Sequence, residues 1–199
     1  MPRARGTRRQ QILETLAAEL ERDPGGRITT ARLAEALEVS EAALYRHFPS
    51  KARMFEGLIG FAEDSVFGLF TRILREETAG PRRCERLVGV LLGFSARNPG
   101  ITRILMGDAL VGEHERLRER VGQFFDRCET QLRQVLNQHE LDSGHRLALP
   151  ASAATNLMLA FAEGRMAQYL RSGFRQAPDE DWARLWPAME RTVFGDGGY

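Results

Sequence analysis

Residues 27–55, RITTARLAEALEVSEAALYRHFPSKARMF, decide the fold of this chain. Two short helical patterns follow each other here, and apolar residues line their facing sides: Leu33 and Leu37 on the first, Leu44 and Phe48 on the second. Val39 lies in the tight turn between them and fills the angle at which two such helices meet. A long helical pattern begins directly after Ser50 and anchors the second helix. The stretch predicts a helix-turn-helix.

The ends of the two short helices carry suitable capping residues, with one exception in the turn. Thr29 or Thr30 is expected to cap the first helix and Ser40 the second, because their hydroxyls accept from backbone N–H groups. Glu38 occupies the turn position where this motif usually has glycine, since the chain often becomes left-handed there. A glutamate in that conformation costs on the order of 1 kcal/mol. The surrounding pattern outweighs this cost.

The side chains that this arrangement leaves outward suit DNA. Ser40 and Tyr45 can bond phosphates or base edges, and the small Ala43 lets the second helix approach the floor of the major groove. His47 and Lys51 can reach phosphate, and the positive N-terminus of the long helix aids Lys51. The predicted DNA-binding residues are Thr29, Thr30, Ser40, Ala43, Tyr45, Arg46, His47 and Lys51, with Arg8 and Arg9 from the N-terminus. The alternative is a structural helical hairpin without a ligand.

Composition shows that any DNA affinity must be local. The net charge is only +1, but the first ten residues contain Arg3, Arg5, Arg8 and Arg9 and no acid. Two cysteines, Cys84 and Cys128, form no CxxC motif, so we expect half-buried reduced thiols rather than disulfides or a zinc site. No signal segment or membrane-spanning stretch is apparent. A soluble cytoplasmic protein is expected.

Helical periodicity continues through the rest of the chain, and no strand pattern interrupts it. The fold class is therefore all-α, with about nine helices, as the stop signals indicate. Residues 1–50 are predicted to be the DNA-binding domain and residues 51–199 a helical domain for dimerisation and partner binding. The expected helices outside the motif cover residues 7–22, 51–77, 82–96, 99–106, 113–137, 151–172 and 179–194. The last is interrupted or kinked at Pro187, and a polar loop is expected over residues 139–149.

Two groups of sequence stretches carry a family resemblance. ALYRHFPSKARMF, in which tyrosine, histidine and phenylalanine precede Pro-Ser-Lys and a long helix, resembles the TetR family of transcription regulators. LLGFSARNPGITRILMGDAL, QLRQVL and AFAEGRMAQYLRSGF lie beyond that domain and resemble one branch of the family, the nucleoid-occlusion factors. The resemblance implies a homodimer, assembling to higher order on DNA in some cases, that binds palindromic chromosomal sites. When bound to DNA, such proteins antagonise the division protein FtsZ, so the expected location is the nucleoid.

The resemblance also implies an FtsZ-contacting surface, formed here by Phe61, Gly93, Arg97 and Asn98. Gly93 leaves room for an apolar peptide, and Arg97 can pair with a carboxylate on a disordered tail. Without the resemblance, the residues alone favour a structural explanation, with Asn98 as a helix cap and Phe61 as core; the resemblance reverses that preference. The chain departs from the family at residues 66–70, VFGLF, where a basic residue is usual; Arg72 is near but not aligned.

The predicted eighth helix is rich in small residues, which let two backbones approach closely. With the last helix it is able to form a four-helix dimer interface, for which we name Phe161, Gly164, Trp182 and Trp186. Packing within one chain explains the same residues. A palindromic DNA target requires a two-fold dimer, and this favours the interface.

Catalytic and metal-binding patterns are missing from the sequence. His114, His139 and His145 are dispersed, no serine lies in a GxSxG elbow, and no glycine run suits phosphate. We therefore expect neither an enzyme nor a cofactor. The rival function is a ligand-responsive TetR-type repressor, in which Phe94, Phe124, Phe125 and Phe161 line a small-molecule pocket; the same rings also suit a solid core.

Overall fold

A computed structural model describes residues 7–195 of the chain. Within that range it contains nine α-helices and one 3₁₀ turn, and no strand, so the predicted all-α class is confirmed. The helices are α1 (Arg8–Arg22), α2 (Thr30–Ala36), α3 (Glu41–Tyr45), α4 (Lys51–Glu76), α5 (Gly80–Arg97), α6 (Pro99–Leu105), α7 (Glu115–Ser143), α8 (Ala151–Arg171) and α9 (Trp182–Phe194), with the 3₁₀ turn Asp108–Leu110 between α6 and α7. None of these helices is long and apolar enough to cross a membrane.

The described chain forms two compact units. The first contains the residues up to Ala62 together with Asn98–Val121, and the second contains Glu63–Arg97 together with the residues from Gly122 onward. This is a division by packing. The functional boundary predicted between residues 50 and 51 is a different division, and it stays a prediction.

The core of the first unit joins the helix-turn-helix to α1 and α6. Buried apolar side chains from α1, α2, α3, the turn after α3, and α4 form it: Ile12, Leu16, Leu20, Leu33, Leu44, Phe48, Met54 and Phe55. Helix α6 lies so close to α1 that a Cβ added at Gly100 would stand 2.1 Å from the carbonyl oxygen of Ala17. Only glycine fits that contact.

The core of the second unit surrounds α5. Leu87, Val88, Leu91 and Leu92 are all buried, as expected for a helix enclosed by its neighbours. Cys84 and Cys128 are fully buried rather than half-buried, and burial raises the pKa of both thiols, that of Cys128 to about 12. Neither thiol is therefore ionised at neutral pH.

Several helix ends differ from the prediction. The sequence predicts that the helix capped by Ser40 ends near Phe48 and Pro49, but α3 ends at Tyr45, because Leu44 O accepts from the N–H groups of His47 and Phe48 in a turn that precedes Pro49. The loop predicted to begin at residue 139 is wrong for its first five residues, since α7 continues to Ser143. Bonds four residues apart, such as Gln138 Nε2 to Asp142 Oδ1 at 2.6 Å, support that polar last turn.

Two further helices, α5 and α9, begin at other residues than the sequence predicts. Helix α5 begins at Gly80, two residues before its predicted start, because Pro81 needs no N–H partner in a first turn. Helix α9 begins at Trp182 and includes Pro187. Asn98 stands at the N-cap position of α6 as predicted, with Pro99 next, but its side chain makes no capping bond there.

Candidate functional site

The helix-turn-helix has the caps and the strained turn that the sequence predicts. The hydroxyl of Thr29 accepts from Arg32 N at 3.2 Å, and that of Ser40 accepts from Ala43 N at 3.2 Å. Glu38 has φ +54°, so the left-handed residue in the turn is confirmed. Leu44 and Phe48, each 1% exposed, fix the inner side of α3. The outer side of α3 therefore has one defined orientation.

The predicted DNA-binding side chains of α3 and its C-terminal turn lie on that outer side. Ser40, Arg46 and His47 are exposed, Tyr45 is 43% exposed, and Ala43 is half-buried. This face offers a hydroxyl, a phenol, an imidazole and a guanidinium around a small residue. Such a set can donate to phosphates and to base edges. The individual contacts to DNA stay predictions.

A hydrogen-bonded chain connects α2 to α3 across this face. Thr30 Oγ1 donates to Glu41 Oε2 at 2.5 Å, and the Tyr45 hydroxyl donates to Thr30 Oγ1 at 3.4 Å. Thr30 therefore donates its hydroxyl hydrogen to Glu41. Thr29, one residue earlier, is exposed and is the N-cap of α2. The sequence placed Glu41 outward but gave no sign of this bond, because its partner is 11 residues away.

Lys51, the predicted phosphate contact at the start of α4, has an acidic partner. Its Nζ lies 2.5 Å from Glu113 Oε1, and the two side chains are only 25% and 13% exposed. The ammonium also lies 5.5 Å from the centre of the Phe55 ring. A phosphate bound by Lys51 competes with a carboxylate that is already in place.

The described part of the basic N-terminus lies on the first turn of α1. Arg8 and Arg9 are exposed; Arg8 donates to Gln11 Oε1 at 3.1 Å, and the Arg9 guanidinium lies 4.7 Å from the centre of the Phe48 ring. Arg3 and Arg5, part of the same predicted cluster, lie outside the described residues. The two described arginines place positive charge beside the helix that carries Tyr45.

An ionic network that the sequence does not predict connects α2 and the loop before it to α1 and α6. Arg32 of α2 binds Glu19 at 2.8 Å and Asp23 at 2.7 Å, and its hydrogen bond holds the pKa of the Asp23 carboxyl below its usual value. Arg103 of α6 is 2% exposed and donates to the carbonyl oxygens of Leu20, Asp23 and Gly26. In the sequence, the only indication of this role is that Arg103 is a single arginine within the largely apolar stretch ITRIL, residues 101–105.

The second unit contains an open groove along α4 and α5. Its volume is about 340 Å³, and apolar side chains alternate with arginines along it: Leu69, Arg72, Ile73, Arg86, Gly89, Val90 and Arg97. Glu76 lies beside this groove, 2.8 Å from Arg72 and 3.7 Å from Arg86, and the hydrogen bond from Arg72 lowers the pKa of its carboxyl. Three guanidinium groups beside an apolar floor suit a peptide with carboxylates and apolar side chains.

One of the four predicted FtsZ-contacting residues, Arg97, lines this groove, and a second, Gly93, lies next to Arg97. Gly93 is buried, and Arg97 folds back over it, since a Cβ at position 93 would lie 3.2 Å from Arg97 Nη1. The other two belong to the first unit: Phe61 is 45% exposed on α4, and Asn98 precedes α6. Arg72, which lies near residues 66–70 but is not aligned with the usual basic residue there, lines the groove itself.

The predicted dimer residues on α8 and α9 divide into exposed and buried members. Gly164 is exposed with open space where a Cβ would stand, and Leu157 and Leu185 are 36% and 39% exposed. Phe161 and Trp182 are half-buried, with ring centres 5.5 Å apart. Trp186 is 3% exposed within a single chain, so intrachain packing, the alternative interpretation, describes that residue.

The aromatic residues proposed for a ligand pocket pack against one another. The Phe124 ring lies 5.3 Å from that of Phe67 and 5.2 Å from that of Phe125. Phe94 is 5% exposed and Phe124 1%. Close ring contacts of this kind are typical of a solid core. Among the described residues no group of histidine, cysteine and acidic side chains is arranged to hold a metal ion.

Comparison with known proteins agrees with this architecture. The family described as bacterial regulatory proteins of the tetR family matches residues 12–58, and the SlmA-like family described as the tetracyclin repressor-like C-terminal domain matches residues 80–193. The nucleoid occlusion factor SlmA of Alteromonas mediterranea is 50% identical over 192 residues, which cover 96% of this chain and 98% of that protein. The chain belongs to the SlmA family, within the TetR family.

Further relatives agree with that membership. SlmA of Shewanella loihica is 53% identical over 186 residues, which cover 94% of each chain. Solved structures of more distant regulators share the fold: the ketosteroid regulator KstR2 of Mycobacterium tuberculosis matches with a TM-score of 0.75 at 17% identity, over 96% of this chain and 97% of that one. FadR of Bacillus subtilis, in complex with stearoyl-CoA, matches with a TM-score of 0.72 at 12% identity, over 94% and 98%. The SlmA relatives span both the helix-turn-helix and the helical body.

Proposed function

We propose that this protein is a nucleoid-occlusion factor. It binds palindromic chromosomal sites as a homodimer and, when bound to DNA, antagonises assembly of FtsZ, so that division does not occur over the nucleoid. The observation that carries this proposal is identity of about half of all residues with SlmA proteins across nearly the whole chain, body included. A shared DNA-binding motif alone supports only a TetR-type regulator.

For DNA, we propose a division of labour over the first unit. The face of α3 and its C-terminal turn, with Ser40, Ala43, Tyr45, Arg46 and His47, enters the major groove. The surrounding phosphates are contacted by a second set: Thr29, Thr30, Lys51, Arg8 and Arg9. The fixed inner side of α3 and the exposure of Tyr45, Arg46 and His47 support this assignment.

For FtsZ, we propose that a disordered, acidic segment binds at Phe61, Gly93, Arg97 and Asn98. The groove of α4 and α5 supports this because its arginines attract carboxylates while its apolar floor accepts side chains. We add Arg72 to the predicted set, since it lies in the groove and is able to exchange Glu76 for a carboxylate of the partner. This position compensates for the missing basic residue in residues 66–70.

The test combines DNA selection with an assembly assay. Genomic fragments retained by the protein supply the specific duplex, and sedimentation of FtsZ polymers with GTP is measured with protein alone, with that duplex, and with a scrambled duplex. We expect strong inhibition with the specific duplex only. Equal assembly in all three arms, at duplex concentrations that saturate the protein, would contradict the FtsZ proposal.

A matched pair of variants separates the two activities. Arg97→Asp is expected to abolish the effect on FtsZ and to leave duplex affinity unchanged, whereas Arg75→Asp, an exposed arginine of α4 outside the groove, is expected to change neither. Loss of both activities in Arg97→Asp would mean that Arg97 is structural. A ligand-responsive repressor is the alternative function, but the packed rings of Phe67, Phe124 and Phe125 give it no support.

A further inference from the structure

Glu113 and Lys51 form an ion pair at a position where DNA phosphate is expected. Lys51 is the first residue of α4, a helix of 26 residues, and N–H groups in the first turn of a helix attract anions. The carboxylate of Glu113 lies 2.5 Å from the ammonium. A protein carboxylate thus occupies the place that a phosphate oxygen needs.

The segment that carries Glu113 is separate from the helix-turn-helix in sequence. It follows the 3₁₀ turn Asp108–Leu110 and precedes α7, 62 residues after Lys51. Gly112, with φ +76°, turns the chain there, and a Cβ at that position would lie 2.6 Å from Arg27 Nη2. The segment therefore has a tight fit against basic residues on either side of the motif.

A second ion pair joins the start of α7 to α4. Glu56 binds Arg116 at 2.8 Å and also Arg53 at 2.7 Å. Arg116 thus stays anchored to α4 whether or not Glu113 holds Lys51. Release of Glu113 consequently requires movement of its side chain and the short segment before α7, not separation of the helices.

We propose that Glu113 is an intramolecular competitor of DNA, which a phosphate must displace from Lys51. The proposal rests on the proposed DNA binding. In the unbound protein Glu113 neutralises Lys51, so the contact adds no net counterion release when DNA binds. Glu113 then weakens binding to all DNA by the same factor. At a given protein concentration, only sites with a higher intrinsic affinity are then occupied.

The test is a Glu113→Gln variant with a matched control. Duplex affinity is measured by fluorescence anisotropy across a salt series from about 50 to 200 mM. Glu113→Gln is expected to bind about fivefold more tightly near 0.15 M salt, with a slope of log affinity against log salt that is steeper by about one. Glu115→Gln removes the same charge from a residue that pairs with Arg118 instead, and it should leave affinity and slope unchanged.

The partner variant completes the cycle. In Lys51→Gln the further change Glu113→Gln should give no gain, because the cation that it frees is absent. Unchanged or weaker binding by a Glu113→Gln protein with a native circular dichroism spectrum would overturn the competitor role and leave the proposed DNA binding intact. Failure of the wild-type protein to bind any selected duplex would overturn both.

A measurement on the wild-type protein does not depend on the folding of a variant. Lys51 is the only lysine in the sequence, so isotope-labelled lysine gives one side-chain ammonium signal in NMR that needs no further assignment. Saturation with the specific duplex is expected to shift this signal as its partner changes from carboxylate to phosphate. An unshifted signal at saturation would overturn the proposal.

Discussion

Nη1 of Arg103 lies 2.9 Å from the carbonyl oxygen of Leu20, in the last turn of α1. The same guanidinium donates to Asp23 O at 2.7 Å and Gly26 O at 3.1 Å, and its Nε bonds Asp108 at 2.5 Å. The last carbonyls of a helix have no partner within the helix and carry partial negative charge. Arg103 satisfies the carbonyl of Leu20 at the end of α1, bonds those of Asp23 and Gly26 in the segment that follows, and so fixes the direction in which the chain leaves α1 toward α2.

Replacing Arg103 should therefore be costly. Arg103→Met removes the donor to the carbonyl oxygens of Leu20 and Gly26 and to the Asp108 carboxylate, and one of the two donors to Asp23 O, so we expect a loss of about 3 to 5 kcal/mol in the free energy of unfolding. Urea denaturation followed by circular dichroism measures it. Arg118→Met is the control, because Arg118 is 44% exposed and its ion pair is worth less than about 1 kcal/mol. Similar losses in both variants would contradict this role for Arg103.

Gly100 gives a second test of the contact between α1 and α6. A Cβ at this position would stand 2.1 Å from Ala17 O, a backbone atom that cannot rotate away. Gly100→Ala should force the two helices apart and cost about 1 to 3 kcal/mol. Gly122→Ala, within α7 and with open space at its Cβ position, should instead stabilise by roughly 0.5 to 1 kcal/mol. Thermal unfolding of both variants decides the matter, and a stabilised Gly100→Ala protein would be incompatible with the close approach.

Arg103 and Gly100 show which features of the fold the sequence alone does not predict. Local chemistry predicted Thr29 or Thr30, and Ser40, as the caps and Glu38 as the left-handed residue, because each depends on residues within three or four positions; Thr29 is the cap that forms. The carbonyl partners of Arg103 lie 77 to 83 residues away, and the carboxylate partner of Lys51 lies 62 residues away. Helical periodicity carries no information about contacts between residues so far apart in the sequence. The sequence therefore predicts the helix-turn-helix but not the long-range bonds of Arg103 and Lys51.

The helical body follows the same division. Amphipathic spacing located every long helix, but it read the last turn of α7 as loop because polar residues alone cannot distinguish an exposed helix from a loop. Trp186, which we named for the dimer interface, is buried within its own chain. Hydrophobicity predicts that a residue is buried and does not say which surface covers it.

The position of Arg72 in the groove predicts a measurable role in peptide binding. Arg72→Ala should weaken binding of a peptide with the sequence of a disordered, acidic segment of FtsZ about tenfold, since a hydrogen bond to a charged group contributes about 1.5 to 3 kcal/mol. Arg75→Ala, on the same helix but outside the groove, is the control. Fluorescence anisotropy with the labelled peptide gives the affinities. Equal affinity for the two variants would remove Arg72 from the proposed site.

His139 should make stability depend on pH. Burial lowers the pKa of its imidazole below the usual value, nearby His145 lowers it further, and its ring packs edge-on against Phe194 at 5.1 Å. The unfolded chain therefore binds the proton more readily, so stability is lost as pH falls from about 7 toward 5. His139→Gln should reduce this loss, whereas His114→Gln, at an exposed residue, should not. Melting temperatures across that range test the prediction, and identical pH profiles for wild type and His139→Gln would contradict it.

The exposed side of α8 leads to a prediction about assembly. Ala160 and Gly164 are exposed one turn apart, beside Leu157. If two copies meet there, Ala160→Glu places two carboxylates in an apolar contact, where unpaired charges are strongly disfavoured. We expect a monomer in analytical ultracentrifugation and a large loss of affinity for a palindromic duplex, because each half-site must then be bound independently. Gln123→Glu adds the same charge to an exposed position of α7 and should remain dimeric. A dimeric Ala160→Glu protein that retains full duplex affinity would place the two-fold contact elsewhere on the chain.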